Sequence, residues 1–219
     1  VPRQARTGPA TVTVTTAAQR KLAGPLVVEE VAPGIFTANA DGKGVPAALF
    51  GMVSKTLLRA TATQNVGEPG ISIAAVNDVL CQDNDTCMFV TVFYAVFHQE
   101  SGRLSYVNAG HPPPLLIHAD GRSEFLGLTN GIALGVADGL EFAQQDIVLL
   151  PGDYLVIYTD GVTEAFNPQN EEFTQDRLVP LFEQTPAIDV QNAVNQVIRA
   201  VDAFADSAPQ SDDITCMVL

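Results

Sequence analysis

Three aspartate-bearing turns in this sequence could do chemistry. Asp41 precedes Gly42 just ahead of a segment with helical spacing. Asp160 precedes Gly161 at the end of the very apolar run DYLVIYT, and Asp212 and Asp213 stand together just before ITCMVL. Strands bury their middles and present their ends to water. Carboxylates at strand ends can therefore converge on one edge of a fold while staying hydrated, as a site for Mg²⁺ or Mn²⁺ requires. Glycine after Asp41 and Asp160 allows close backbone approach, so a main-chain carbonyl could join such a ligand set. Asp–Gly is also an ordinary turn dipeptide, and spacing alone leaves the turn reading and the ligand reading both open.

Other polar residues invite weaker readings. His111 in the sequence NAGH could be offered as a general acid beside Asn108. A histidine in a turn followed by Pro112, Pro113 and Pro114 reads first as a structural hydrogen-bonder. Lys43 and Arg59 could meet a phosphate, yet each also reads as a solvated charge at or on a helix. Thr163 and Glu164 read as a helix start with a favourable early acid rather than as catalysts.

The elements that must position these residues follow from periodicity. Short apolar runs between Leu26 and Ala38, broken by Pro33 and Gly34, predict two strands joined by a turn. Val45, Leu49, Met52, Val53 and Leu57 recur at the three- and four-residue spacing of one helix face within Val45–Ala60, and Pro46 sits where a first-turn N–H is not needed. A second helix is predicted over Ile71–Leu80. The run CMFVTVFYAVFH, Cys87–His98, predicts a central strand, and a turn at Gly102 leads into a second strand, LSYVNAG. Further strands are predicted at Pro114–His118, Ser123–Leu126, the DYLVIYTDG run and the closing segment Asp212–Leu219. Residues 175–205 have the spacing of one or two surface helices. Residues 1–20 show no sustained period, and 1–25 are read as an amino-terminal arm or a cut-off beginning ahead of a domain at 26–219. The order predicts a mixed α/β layered domain rather than βαβ repeats.

Composition narrows the function classes. The chain has 219 residues, 47% of them hydrophobic, enough for one compact domain. A net charge of −14 with only 11 Lys and Arg would repel a phosphate backbone, which argues against nucleic acid as a ligand. Cys81, Cys87 and Cys216 form no CxxC or Cys/His spacing, so reduced thiols are expected. No stretch approaches the roughly 20 apolar residues of a membrane span. The amino terminus has no basic segment leading into an apolar run and a cleavage site. These features predict a soluble, cytoplasmic protein that does not act at a membrane.

Taken together and in order, GKGVPAALF (42–50), FVTVFYAVF (89–97), GRLSYVNAGHPPPLL (102–116), GIALGV (131–136), PGDYLVIYTDGVTEAFN (151–167) and SDDIT (211–215) resemble the PPM-type (protein phosphatase 2C-like) serine/threonine phosphatases of the RsbU/SpoIIE group. The resemblance covers about residues 40–219. It implies an αββα sandwich: two stacked antiparallel sheets flanked by helices, with two Mn²⁺ or Mg²⁺ ions in a cleft at one edge. In such enzymes the ions activate a water for in-line attack on phosphoserine or phosphothreonine, with no covalent phosphoenzyme. By position Asp160 and Asp212 match the family's metal-binding aspartates, with Asp213 adjacent. The implied partner is a phosphorylated anti-sigma-factor antagonist of the STAS type, and a homodimer is a further expectation, because dimerisation or helix rearrangement is often the switch in this group.

The sequence departs from the family pattern twice. No GGDxxD-like strand precedes Gly42; Glu29 or Glu30 is the available substitute. In the helix-entry motif, usually GDVSGKGVPAA, the aspartate's place is taken by Asn39, a neutral side chain and a weaker ligand for a hard dication. Asp41 and Gly42 then form the preferred ligand pair after a shortening of the loop. The rival reading is a pseudophosphatase that keeps the fold as a protein-binding module.

Overall fold

The structure, a computed structural model, describes residues 13–16, 27–31, 34–40, 45–65, 67–82, 84–129, 131–183 and 190–219, with side chains from Leu49 onward. In chain order the elements are β1 (Thr13–Thr16), β2 (Val27–Val31), β3 (Gly34–Ala40), α1 (Val45–Gln64), α2 (Pro69–Cys81), β4 (Val90–His98), β5 (Arg103–Ala109), β6 (Leu115–Ile117) and β7 (Ser123–Phe125). They continue with β8 (Gln145–Val148), β9 (Tyr154–Tyr158), α3 (Asp160–Thr163), a 3₁₀ turn at Gln175–Arg177, α4 (Val179–Phe182), α5 (Val190–Ala205) and β10 (Thr215–Val218).

The strands form two five-stranded sheets, ordered β2-β3-β4-β5-β8 and β1-β10-β9-β6-β7, and every strand pairing within them is antiparallel. The alternation of side chains along β4 and β9 shows why they stack. Val90, Val92, Tyr94 and Val96 pack with Leu58, Ala62, Ile73, Val76 and Leu80 of α1 and α2. Phe93 and Ala95, on the opposite face of β4, meet Leu155 and Ile157 of β9 and Met217 of β10 in the layer between the sheets. Val156, Tyr158, Cys216 and Val218 turn outward to Val194, Val197 and Val201 of α5. Both central strands are thus covered on both faces, and their sequences are continuous apolar runs instead of alternating ones. This is the four-layer αββα sandwich that the resemblance implied.

The predicted strands before Ala38, the β4–β5 hairpin and the β6–β7 hairpin are present, with β4 starting at Val90 rather than Cys87. α2 starts two residues earlier than predicted, at Pro69, where a ring lacking an N–H costs no hydrogen bond. The predicted face of α1 is buried only in part: Leu57 packs against the core, Leu49, Met52 and Val53 are half exposed, and the fully buried row is Ser54, Leu58 and Ala62. Those three lie four residues apart, and two of them are small. α1 therefore lies close against its layer, and the bulkier apolar row stands on the outside. Thr13–Thr16, in the segment read as an arm, pairs with β10. β8 was not predicted; it is an edge strand with mostly exposed side chains, paired to β5. Among the described residues, the stretch 175–205 holds a 3₁₀ turn, the single turn of α4 and the 16-residue helix α5; Arg177 links the first to the last, its guanidinium 4.6 Å from the Phe204 ring centroid.

Candidate metal centre at the β9–β10 seam

β9 and β10 are neighbours in their sheet, and the end of one meets the beginning of the other. Thr159 continues β9 in extended conformation and Asp160 opens the single turn of α3. The Thr159 N–H donates to the Thr215 carbonyl at 3.1 Å. The Thr159 hydroxyl accepts the Thr215 N–H at 3.0 Å and donates to the Asp213 carbonyl at 2.9 Å. One buried side chain thereby ties the YTDG turn to the DDIT turn.

Gly161 completes the join. A Cβ built on it would lie 2.4 Å from the Asp213 carbonyl oxygen and 2.8 Å from the carbonyl carbon, so the peptide of Asp213 occupies the space a side chain would need. Glycine was expected here for close backbone approach, and the neighbour it admits is the chain's own DDIT turn. Both aspartates are held by their own turns. Asp160 Oδ1 accepts the Gly161 N–H at 2.9 Å, and Asp212 Oδ1 accepts the Asp213 N–H at 2.7 Å. Asp160, Asp212 and Asp213 are all partly exposed, as hydrated ligands must be.

The electrostatics of the seam are those of crowded anions. Burial, and then the neighbouring Asp212, raise the Asp213 carboxyl above the usual range. Burial raises Glu164 as well, followed by the charges of Asp160, Glu172 and Asp212. Glu164 therefore senses both turns at once. Asp160, Asp212, Asp213 and Glu164 thus gather negative charge at one partly hydrated seam, and a hard divalent cation bound there would relieve their repulsion.

Of the sequence-predicted residues, Asp160 and Asp212 are brought to one seam with Asp213 beside them, while Asp41 and Gly42 lie outside the described residues. Lys43 does too, and Arg59 is an exposed residue of α1. Asn39 is the penultimate residue of β3 and pairs with Thr91 of β4. Glu29 and Glu30 lie on β2, paired with Phe36 and Ile35. Among the described residues no group of three or more His, Cys, Asp and Glu side chains is placed to hold an ion.

One reading changes, and the first reading of His111, a structural hydrogen-bonder, holds. Thr163 and Glu164 do not start a helix: Thr163 ends α3 and Glu164 caps it, because the chain turns away into the Phe166–Glu172 bridge. His111 is 1% exposed, and burial lowers its pKa to about 3, so it is a neutral interior side chain shut off from any substrate. Thr159 was missed; its signal was a hydroxyl residue directly before Asp–Gly at a strand end.

Comparison with known proteins places this geometry. Residues 33–219 match the model of the family described as Stage II sporulation protein E (SpoIIE). The chain is 31% identical over 150 residues to Protein IcfG of Synechocystis, covering 68% of this chain and 23% of that protein. It is 28% identical over 185 residues to the phosphoserine phosphatase RsbU of Bacillus subtilis, covering 84% of this chain and 54% of RsbU. The chain thus spans about half or less of these curated relatives. Among solved structures, the SiaA-PP2C domain of Pseudomonas aeruginosa superposes with a TM-score of 0.79 at 18% identity, covering 95% of this chain and 85% of that one. By the family match over most of its length, this chain belongs to the SpoIIE family, and it has the fold of PP2C-like domains.

Proposed function

We propose that residues 26–219 are a metal-dependent protein phosphatase domain acting on phosphoserine or phosphothreonine, with Asp41, Gly42, Asp160 and Asp212 as ligands to two Mn²⁺ or Mg²⁺ ions. The observation that carries this reading is the β9–β10 seam, where Thr159 and Gly161 hold two aspartate turns against each other. Bound ions would supply the positive charge that acidifies a water and neutralises phosphoryl oxygens. The chain's own part is to fix the carboxylates. Asp160 and Asp212 each spend one oxygen on the following N–H, which sets the direction of the carboxyl plane before any ion arrives.

The relative RsbU is named a phosphoserine phosphatase, which supports a phosphorylated regulatory protein as substrate, and a STAS-type anti-sigma-factor antagonist is our choice. We place its action in the cytoplasm; no helix among the described residues is long and apolar enough to cross a membrane. The half-exposed Leu49, Met52 and Val53 offer an apolar surface for a homodimer.

The test is isothermal titration with Mn²⁺, paired with phosphate release from a phosphoserine peptide, on the parent and on Asp160→Asn and Asp212→Asn. Binding and turnover in the parent that collapse in both variants are expected; variants that keep them refute the ligand assignment. Asn39, a neutral residue at the end of β3, favours the second reading, a pseudophosphatase acting as a protein-binding module. A parent that neither binds Mn²⁺ nor releases phosphate is the result that reading requires.

A further inference from the structure

We propose that a cleft beside the β9–β10 seam is a subsite for a lysine or arginine that flanks the phosphoserine of the substrate protein, an inference that rests on the phosphatase reading for its substrate. The cleft has a volume of about 450 Å³ and lies between the loop that follows α3 and the loop that leads from α5 to β10. Phe166, Pro168 and Pro209 give it apolar walls, and Asn167, Gln210 and Ser211 give it polar ones.

The cleft is continuous with the candidate metal centre. Ser211 Oγ donates to the Glu164 carbonyl at 3.1 Å, and Gln210 Nε2 donates to the Asp212 carbonyl at 2.7 Å. Two of its walls are thus bonded to the turns that follow Asp160 and contain Asp212. Ser211 is also the neighbour of Asp212 in the chain. An extended peptide advances about 3.3 Å per residue, so a substrate with its phosphate at the seam can bring a residue within about three positions of the phosphoserine to this cleft.

The loops around the cleft hold their own shape. Asn167 Oδ1 accepts the N–H groups of Gln169 and Glu171 at 3.0 and 2.9 Å, its Nδ2 donates to the Glu171 carboxylate at 2.9 Å, and Phe166 bridges to Glu172. On the facing loop the Ala208 N–H donates to the Ala205 carbonyl at 2.8 Å. A cleft fixed in this way costs a ligand little ordering of the protein.

Charge selects the occupant. Glu171 is bonded to a wall residue, Glu172 follows it, and Asp212 follows Ser211. Among the described residues none that lines the cleft is basic, and Arg177 is turned to the Phe204 ring. A lysine or arginine matches both parts of the site. Its methylene stem lies along the Phe166 and proline walls while its charged head stays in water near the carboxylates. An acidic residue in the same place would meet like charge.

The experiment uses phosphoserine peptides carrying a single Arg, Ala or Glu at each of the three positions on either side of the phosphoserine. kcat/KM is measured with Mn²⁺ on the parent, Ser207→Lys, which adds a cation at the cleft, and Glu171→Gln, which removes an anion. The reading is the ratio of the Arg to the Ala peptide within each protein, so a variant that is merely less active keeps the parent's ratio. Expected in the parent is about a fivefold preference for Arg at one or more positions, the upper end for an exposed ion pair. That preference should shrink in about 0.5 M NaCl. Each variant should bring the ratio toward one; if one variant does not fold, the other decides. A ratio near one at every position in the parent, or a ratio unchanged in the variants, overturns the proposal. If the parent releases phosphate neither from the peptides nor from p-nitrophenyl phosphate, the phosphatase reading has failed. The same ratio read from peptide binding by fluorescence anisotropy then decides whether the cleft takes a basic side chain.

Discussion

Substituting Gly161 by alanine isolates the packing of the seam from its charge. Gly161 does not have a positive φ, so its backbone is open to alanine, and the change alone would stabilise the chain by about 0.4–1 kcal/mol through the unfolded state. The new Cβ, however, would stand 2.4 Å from the Asp213 carbonyl oxygen, roughly 1 Å inside van der Waals contact. Retreat is blocked on one side by the Thr159 hydroxyl, which holds that carbonyl at 2.9 Å. Overpacking of this kind costs about 1–3 kcal/mol. The contact wins, leaving a net loss of about 1–2 kcal/mol and a melting temperature lower by roughly 2–8 °C for a domain of this size. Differential scanning calorimetry measures the shift, and Mn²⁺ titration on the same protein should show weakened binding as the two turns part. A Gly161→Ala protein that melts at or above the parent's temperature refutes the close-packed seam.

Three other outcomes follow from buried groups. His111 has its pKa lowered by burial from an ordinary 6.5 to about 3, so the unfolded chain binds its proton first. Its contribution to stability is complete above pH 6.5 and is lost as pH falls toward 3, amounting to about 2 kcal/mol by pH 5. Urea unfolding at pH 8 and pH 5 measures this, and a folded His111→Gln protein should lack that share of the difference. Cys216 is fully buried, with its thiol pushed up to about 12, whereas Cys87 is exposed, so iodoacetamide should label Cys87 in the native protein and Cys216 only on unfolding. Labelling of native Cys216 would contradict the covered outer face of β10. Leu155→Ala, at the centre of the layer between the sheets, should cost about 2–5 kcal/mol by denaturant unfolding; a loss below 1 kcal/mol would mean the sheets are not packed as described.

What could be read in the sequence was whatever burial wrote there. β4 and β9 are covered on both faces, and their unbroken apolar runs announced them. β8 is an edge strand whose side chains are mostly in water, so its residues carry no burial pattern. β1, in the Thr-rich stretch before residue 20, is placed by its pairing with β10, which depends on backbone groups common to every residue. α1 misled for the opposite reason. Its large apolar row marks a helix face by spacing, although close packing favours the row of Ser54, Leu58 and Ala62. At the candidate site, Asp160 and Asp212 were found because Asp–Gly and Asp–Asp at strand ends are visible in one dimension. His111 reads as a structural hydrogen-bonder from its turn, but its partner Thr91 and the work of Thr159 are not legible, because both consist of hydrogen bonds to residues far away in sequence.

The placement of β10 also has a kinetic consequence. It lies between β1 and β9, so its partners come from widely separated parts of the chain, and its sheet depends on non-local pairings that form slowly. Asp160 and Asp212 become neighbours only when that strand docks. A folding intermediate with β4, β5 and both of their helices already in place would still present the two carboxylates apart. Mn²⁺ added during refolding should therefore leave the folding rate nearly unchanged and slow unfolding, as an ion that holds only the completed seam would do.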